Sequence, residues 1–121
     1  MTVAATERGR LTTHVLDTAH GVPAAGIAIM LCDAAGNEIA SATTNADGRL
    51  DAPILSGKGF TSGAYVLEFE AGAYFRRMGV RLPEPAFLET VAVAFGIADE
   101  GAHYHVPLLV SPFGYSTYRG S

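Results

Sequence analysis

Short apolar stretches alternate with polar positions along most of the chain, and clusters of Gly, Asn, Asp, Ser and Pro cut them to the length of strands. Strands are predicted near residues 11–17, 27–33, 38–44, 50–54, 64–70, 88–97, 104–110 and 113–119. The turns between them have their own chemistry. Asp33-Ala34-Ala35-Gly36-Asn37 and Asn45-Ala46-Asp47-Gly48 offer Gly or Asn for positive φ, and Ser111-Pro112-Phe113-Gly114 reads as a type I turn. One segment breaks the two-residue period. Between Ala71 and Val80 the apolar positions fall at helical spacing and Gly79 stands where a helix would end. Pro83 and Pro85 then impose an extended linker before the strand around Val91, Val93 and Phe95. The pattern predicts an all-β, antiparallel sandwich or barrel with one short α-helix.

Alternation assigns faces. Tyr104, Val106, Leu108 and Val110 share one side of their strand, which makes a sandwich core. His103, His105, Pro107 and Leu109 share the other, which is too mixed for a core and too apolar for free solvent. The same alternation in Leu11–Asp17 groups Thr12, His14 and Leu16, a second imidazole on a half-apolar face. A pocket or a subunit interface suits such faces. Arg49, just after the Asp47-Gly48 turn, reads on its own as a solvated hairpin-end arginine, and only the tertiary fold could bring it to the histidines.

The 121 residues suffice for one domain, expected as a single sandwich over 11–121 behind a flexible N-terminal segment, 1–10. With 49% hydrophobic and 17% charged residues the chain is far from the composition of disorder. The net charge of −4, without a Lys/Arg run, argues against nucleic acid or an anionic membrane as partner. Cys32 is the single cysteine, so no internal disulfide is expected, and its apolar neighbours make it a buried hydrophobe. The first ten residues lack the apolar region of a signal peptide, and the stretch from Val22 to Cys32 is broken by Pro23 and Gly26 and too short to span a bilayer. A cytoplasmic protein is the simplest expectation.

Four histidines raise the question of a metal. His103 and His105 lie two apart, and His14 and His20 add nitrogens, but catalytic zinc commonly takes three protein ligands and nothing fixes a third at a characteristic spacing. Neither a metal nor another cofactor is expected, and His20 reads as a solvated loop residue.

Three blocks carry a resemblance to a known family. They are Leu11-Thr12-Thr13-His14-Val15-Leu16-Asp17-Thr18 with Gly21-Val22-Pro23-Ala24, then Thr44-Asn45-Ala46-Asp47-Gly48-Arg49, and the run from His103 to the closing Tyr118-Arg119-Gly120-Ser121. Together they resemble the 5-hydroxyisourate hydrolases, the enzyme branch of the transthyretin-like proteins. The closing Tyr-Arg-Gly-Ser is the discriminating piece, because the hormone-carrying transthyretins lack it. The resemblance implies a transthyretin-type sandwich and a homotetramer, a dimer of dimers with its sites in the channel between dimers. It implies catalytic roles for His14, Arg49, His105 and Ser121, and substrate binding by Arg49, Ser111, Tyr118, Arg119 and Gly120. The implied reaction is hydrolytic opening of the cyclic amide of 5-hydroxyisourate in urate breakdown. Histidine suits the proton transfers because both its forms are accessible near neutral pH, and arginine suits an oxygen-rich anion. The alternative is a non-catalytic carrier of a small ligand in the same fold. Self-association is also expected without the family, since the last strand reads as an unguarded sheet edge.

Overall fold

The computed structural model of the chain describes residues 9–120. Nine strands, β1 (Arg10–Asp17), β2 (Val22–Pro23), β3 (Ala28–Asp33), β4 (Glu38–Thr43), β5 (Leu55–Ser56), β6 (Gly63–Phe69), β7 (Val91–Ile97), β8 (His103–Ser111) and β9 (Gly114–Thr117), form two sheets, with one α-helix, α1 (Ala71–Arg77), and a 3₁₀ turn at Gly57–Gly59 among the described residues. The first sheet runs β2-β1-β8-β9, with β5 pairing the start of β1. The second runs β4-β3-β6-β7. Their facing sides make the core, with Leu11, Val15, Leu108 and Val110 packed towards Ile29, Leu31, Leu67, Phe69 and Val91. This is the predicted sandwich, with alternation deciding which side chains point inward.

One pairing departs from the antiparallel expectation. β1 and β8 run parallel over eight register pairs, from Arg10 opposite His103 to Asp17 opposite Val110. No hairpin links them, and the chain passes through the other sheet between the two, so turn chemistry cannot set their direction.

A second departure concerns residues 50–54, which form no strand. Pro53 has no N–H to give a ladder, and the segment contacts β1 through the bond from Ile54 N–H to the Leu11 carbonyl, 3.0 Å. The strand predicted from residue 88 begins at Val91, and β1 takes in Arg10, which the sequence assigned to a flexible segment. Residues 1–8 lie outside the described residues.

The helix is shorter than the predicted 71–80 but ends as Gly79 requires. Gly79 has φ +87°, its N–H donates to the Arg76 carbonyl, and the Val80 N–H reaches the Phe75 carbonyl, the paired bonds of a Schellman stop. The helix buries Tyr74 and Phe75. The Tyr74 hydroxyl donates to Asp17 Oδ2 at 2.8 Å, which ties the helix to the end of β1. Asp17 is only 1% exposed. The imidazole Nδ1 of His20 also donates to its Oδ2, at 2.6 Å, and the His20 backbone N–H donates to its Oδ1 at 3.0 Å. Burial pushes the Asp17 carboxyl upward, but these donors outweigh it and hold the group below its ordinary value. No described helix is long and apolar enough to cross a membrane.

Removing the phenolic hydroxyl with Tyr74→Phe should cost about 1.5–3 kcal/mol at pH 7, the range for a hydrogen bond to a buried charge. Because Asp17 titrates lower in the folded state, its stabilisation is complete above its unfolded value of 3.8 and is lost as pH falls through the folded value. The gap between wild type and variant, measured by urea unfolding, should therefore narrow below pH 3.8.

Candidate active site

The parallel register of β1 and β8 places Thr12 opposite His105 and His14 opposite Pro107. Since residues two apart share a face, Thr12, His14, His103 and His105 all project from the outer side of the first sheet. Strand spacing and rise put the α-carbons of His14 and His105 roughly 8 Å apart on the diagonal. The rings of His103 and His105 stand 6.1 Å apart between centroids. Between them lies the Thr12 hydroxyl, 2.7 Å from His103 Nε2 and 2.8 Å from His105 Nδ1.

Arg49 reaches this face through the turn before it. The Asn45 side-chain oxygen accepts from the N–H groups of Asp47, 2.9 Å, and Arg49, 3.2 Å, while the Asn45 N–H donates to the Arg49 carbonyl at 2.7 Å. The turn is then fastened to β1. The Val15 N–H donates to the Gly48 carbonyl at 2.8 Å, and Arg49 forms an antiparallel bridge with His14. Gly48 has φ +73°, and a Cβ there would sit 2.4 Å from the Val15 carbonyl oxygen, so the close approach admits only glycine. Thr12, Thr13, Arg49, Leu50, Ala52, His103 and His105 line the resulting cleft, of about 310 Å³.

His14 Nε2 lies 3.1 Å from the Asp47 carbonyl oxygen. A carbonyl only accepts, so Nε2 carries the proton and Nδ1 of the neutral ring keeps its lone pair. Burial, then the Arg49 charge, lowers the His14 pKa against the opposing pull of Asp47. Burial also lowers His105, joined by Arg49, His103 and His14, and lowers His103, joined by Arg10 and Arg119. Three neutral imidazoles beside a fixed guanidinium can accept protons and hold an anion in one place.

The C-terminal segment folds back along β8. The Gly120 N–H donates to the His105 carbonyl at 2.7 Å, and a Cβ on Gly120 would come within 2.7 Å of His105 Cδ2. The glycine is therefore what lets the tail lie flat against the imidazole. Arg119 turns the other way, donating to the His103 carbonyl at 3.2 Å with its guanidinium 4.0 Å above the Tyr104 ring. Tyr118 is exposed beside it at the open edge of the sandwich. Ser111 stands at the far end of β8, and its hydroxyl donates to the Gly114 carbonyl within the hairpin. Within one chain, then, His14, Arg49, His105 and Gly120 come together, and Ser111, Tyr118 and the Arg119 side chain do not join them. Ser121 lies outside the described residues.

From sequence Thr12 shares a mixed face with His14 and His103 shares one with His105, and His103 is also weighed as a metal ligand, but neither is assigned a part in the site. The signal for both was present in the shared two-residue period, but the parallel register that joins them was not. His20 sits against Asp17 at the other end of β1. Among the described residues no group of three His, Cys, Asp or Glu side chains is arranged to hold a metal ion.

A family model described as the HIUase/Transthyretin family matches residues 11–120. The chain belongs to this family. It is 60% identical over 116 residues to 5-hydroxyisourate hydrolase 2 of Rhizobium meliloti, covering 93% of this chain and 97% of that one. Among solved structures it resembles Klebsiella pneumoniae 5-hydroxyisourate hydrolase, with TM-score 0.80, 37% identity and coverage of 93% and 99%. It also resembles (S)-allantoin synthase, with TM-score 0.90 and 44% identity over 97% of this chain, which spans 45% of the synthase.

Replacing Arg49 with methionine removes the positive charge that disfavours imidazolium at both neighbours while leaving them buried. The pKa values of His14 and His105 should both rise from their lowered positions, as followed by NMR titration of the ring resonances. Unchanged values would show that Arg49 does not act on either ring.

Proposed function

We propose that this chain is a cyclic amide hydrolase that opens 5-hydroxyisourate to 2-oxo-4-hydroxy-4-carboxy-5-ureidoimidazoline, a step of urate catabolism in the cytoplasm. The observation that carries the reading is the strap between the Gly48 turn and β1. It holds Arg49 against His14, on the same sheet face as His105. The kinship with named hydrolases at up to 60% identity supports it.

In this reading an imidazole nitrogen, His14 Nδ1 or His105 Nε2, takes a proton from water as the oxygen adds to the amide carbon. The carbonyl oxygen becomes an anion, which the Arg49 guanidinium stabilises with its planar fork of donors. The carbon–nitrogen bond then breaks, and the departing nitrogen receives the proton from the imidazole. Water has been added across the amide, and no metal or other cofactor enters the balance. His14 and His105 share the proton transfers, and Arg49 also orients the substrate.

The remaining assigned groups complete the site in a homotetramer built as a dimer of dimers, with Gly120 from the chain that supplies His105 and Ser111, Tyr118 and Arg119 from a neighbouring subunit. Ser111, Tyr118, Arg119 and Gly120 contribute to substrate binding, and Ser121 supports catalysis. The edge strand β9 supports assembly, because all four of its residues are exposed and its outer side has no partner strand among the described residues. The alternative, a carrier for an apolar ligand, is less well matched to a cleft lined by two histidines, an arginine and two threonines.

Generating 5-hydroxyisourate with uricase and urate and following its absorbance decides between the two. Wild-type protein should speed the decay, and no acceleration by assembled protein would favour the carrier. His14→Ala and His105→Ala should each lower kcat by about 10² or more, and a near-wild-type value would remove that residue from the proton transfers. Sedimentation at micromolar concentration should show a tetramer, and a monomer would refute the intersubunit site.

A further inference from the structure

The Thr12 hydroxyl stands between two imidazoles, at 2.7 Å and 2.8 Å, although it owns a single proton. His105 uses Nδ1 in this contact, so Nε2 is the nitrogen it has left for other partners. His103 uses Nε2. We propose that His105, Thr12 and His103 form a proton relay across the parallel strands, with Thr12 and His103 as positioning residues that set the tautomer of His105 and share its proton. This rests on the hydrolase reading of His105, and it adds two residues to that site.

Only a few arrangements of protons are compatible with the contact. If both rings donated to the oxygen, the hydroxyl proton would have no acceptor among the described groups it touches. Two one-way chains remain. In one, His105 Nδ1–H donates to Thr12 and the Thr12 hydroxyl donates to His103 Nε2, leaving the Nε2 lone pair of His105 free. In the other the direction reverses and His105 Nε2 carries the proton. Arg49 lines the same cleft and favours the lone pair over an N–H dipole on the ring beside it, which selects the first chain. That chain also presents a basic nitrogen, as activation of water requires.

The relay gives the proton somewhere to go. As water surrenders a proton to His105 Nε2, the Nδ1 proton passes to the Thr12 oxygen and the hydroxyl proton passes to His103 Nε2. One proton has moved from water to His103, the His105 ring and the Thr12 hydroxyl have each lost one and gained one, and no electron pair is left over. His105 stays neutral throughout. This matters because Arg49 from the turn, His14 and Arg10 from β1, His103 from its own strand and Arg119 from the tail all surround the pair with groups that are, or become, positive. The relay moves the charge onto His103, so the ring whose Nε2 takes the proton from water is not left as an imidazolium beside Arg49 and His14. The return of the proton to the departing nitrogen runs the same path backwards.

The geometry is specific to the register. A shift of one residue in the β1–β8 pairing would turn Thr12 to the core, and valine would fill the space of Thr12 without bridging anything.

Two measurements test the relay, one independent of activity. In the 15N spectrum of wild-type protein at pH 8, His105 should show a protonated Nδ1 and an unprotonated Nε2. The opposite pattern would overturn the proposal whatever the hydrolase assay shows. In Thr12→Val the Nε2–H form should appear, and kcat should fall about tenfold or more with KM little changed, while Thr12→Ser restores both. His103→Gln, which can still accept from Thr12 but cannot take up a proton, should keep the tautomer yet lower kcat and flatten the acid limb of its pH profile. Wild-type kcat and pH profile in Thr12→Val would sink the relay even if wild type hydrolyses 5-hydroxyisourate. Failure of wild type to hydrolyse it would instead sink the functional reading and leave the spectral test of the hydrogen-bonded chain to stand alone. Should Thr12→Val fail to fold, the wild-type spectrum and the His103→Gln profile decide the matter.

Discussion

Everything distinctive in this protein hangs on the parallel ladder between β1 and β8. Eight residue pairs bring two ends of the chain into register, and nothing local in the sequence helps to close that loop. Buried backbone groups must be paired, so once the ladder forms it is held along its whole length, with the second sheet closing over its inner face. The outward face is then fixed as well. Thr12 falls beside His105 and His14 beside Pro107 because a two-residue period leaves no alternative once the register is set. The inner face pins the register in turn, since a slip by one would expose Leu11, Val15, Leu108 and Val110, all fully buried.

The ladder also governs Arg49. Its turn is anchored to Val15 and His14, so it can be built only where β1 already stands. Four basic side chains on one face would be self-repulsive if all were charged. Partial burial and nearby guanidinium groups settle the conflict by depressing the imidazoles, Arg49 acting on His14 and His105 and Arg10 and Arg119 on His103, which leaves three rings ready to accept protons. The electrostatic cost of gathering these groups is thus also what keeps the rings unprotonated, each with a lone pair free to accept, at working pH.

What the sequence disclosed follows the same division between local and distant effects. The face assignments of β8 and β1, the stop at Gly79 and the turns at Gly36 and Gly48 depend on neighbours in the chain, and each was legible. The strand expected at 50–54 was not, because its apolar Leu50 and Ile54 suggested alternation while Pro53 and the anchoring to β1 gave an irregular segment. Arg49 is exposed, as its place at a hairpin end suggests, but only the fold brings its turn onto His14. The resemblance to a family supplied that residue, not the periodicity. For Ser111 the resemblance implied a role in binding, and the hydroxyl sits in its own hairpin, so any such role depends on a surface from outside the chain.

One chain is not a sufficient catalyst in the proposed scheme. A cleft on the outer face of a single sheet is open to solvent, and the rings that line it are only half-buried. Bulk water screens the attraction of Arg49 for a developing anion and offers competing hydrogen bonds to the substrate. Packing a second copy of the same face across the cleft would remove that water and bring residues such as Ser111 within reach of a site they do not share at home. Leu16 and Leu109, half-buried on this face beside the imidazoles, supply the apolar surface that such a contact would cover. In the proposed scheme the mixed character of the face has two uses: its polar residues would do the chemistry, and its apolar residues would seat the second copy that keeps water from it.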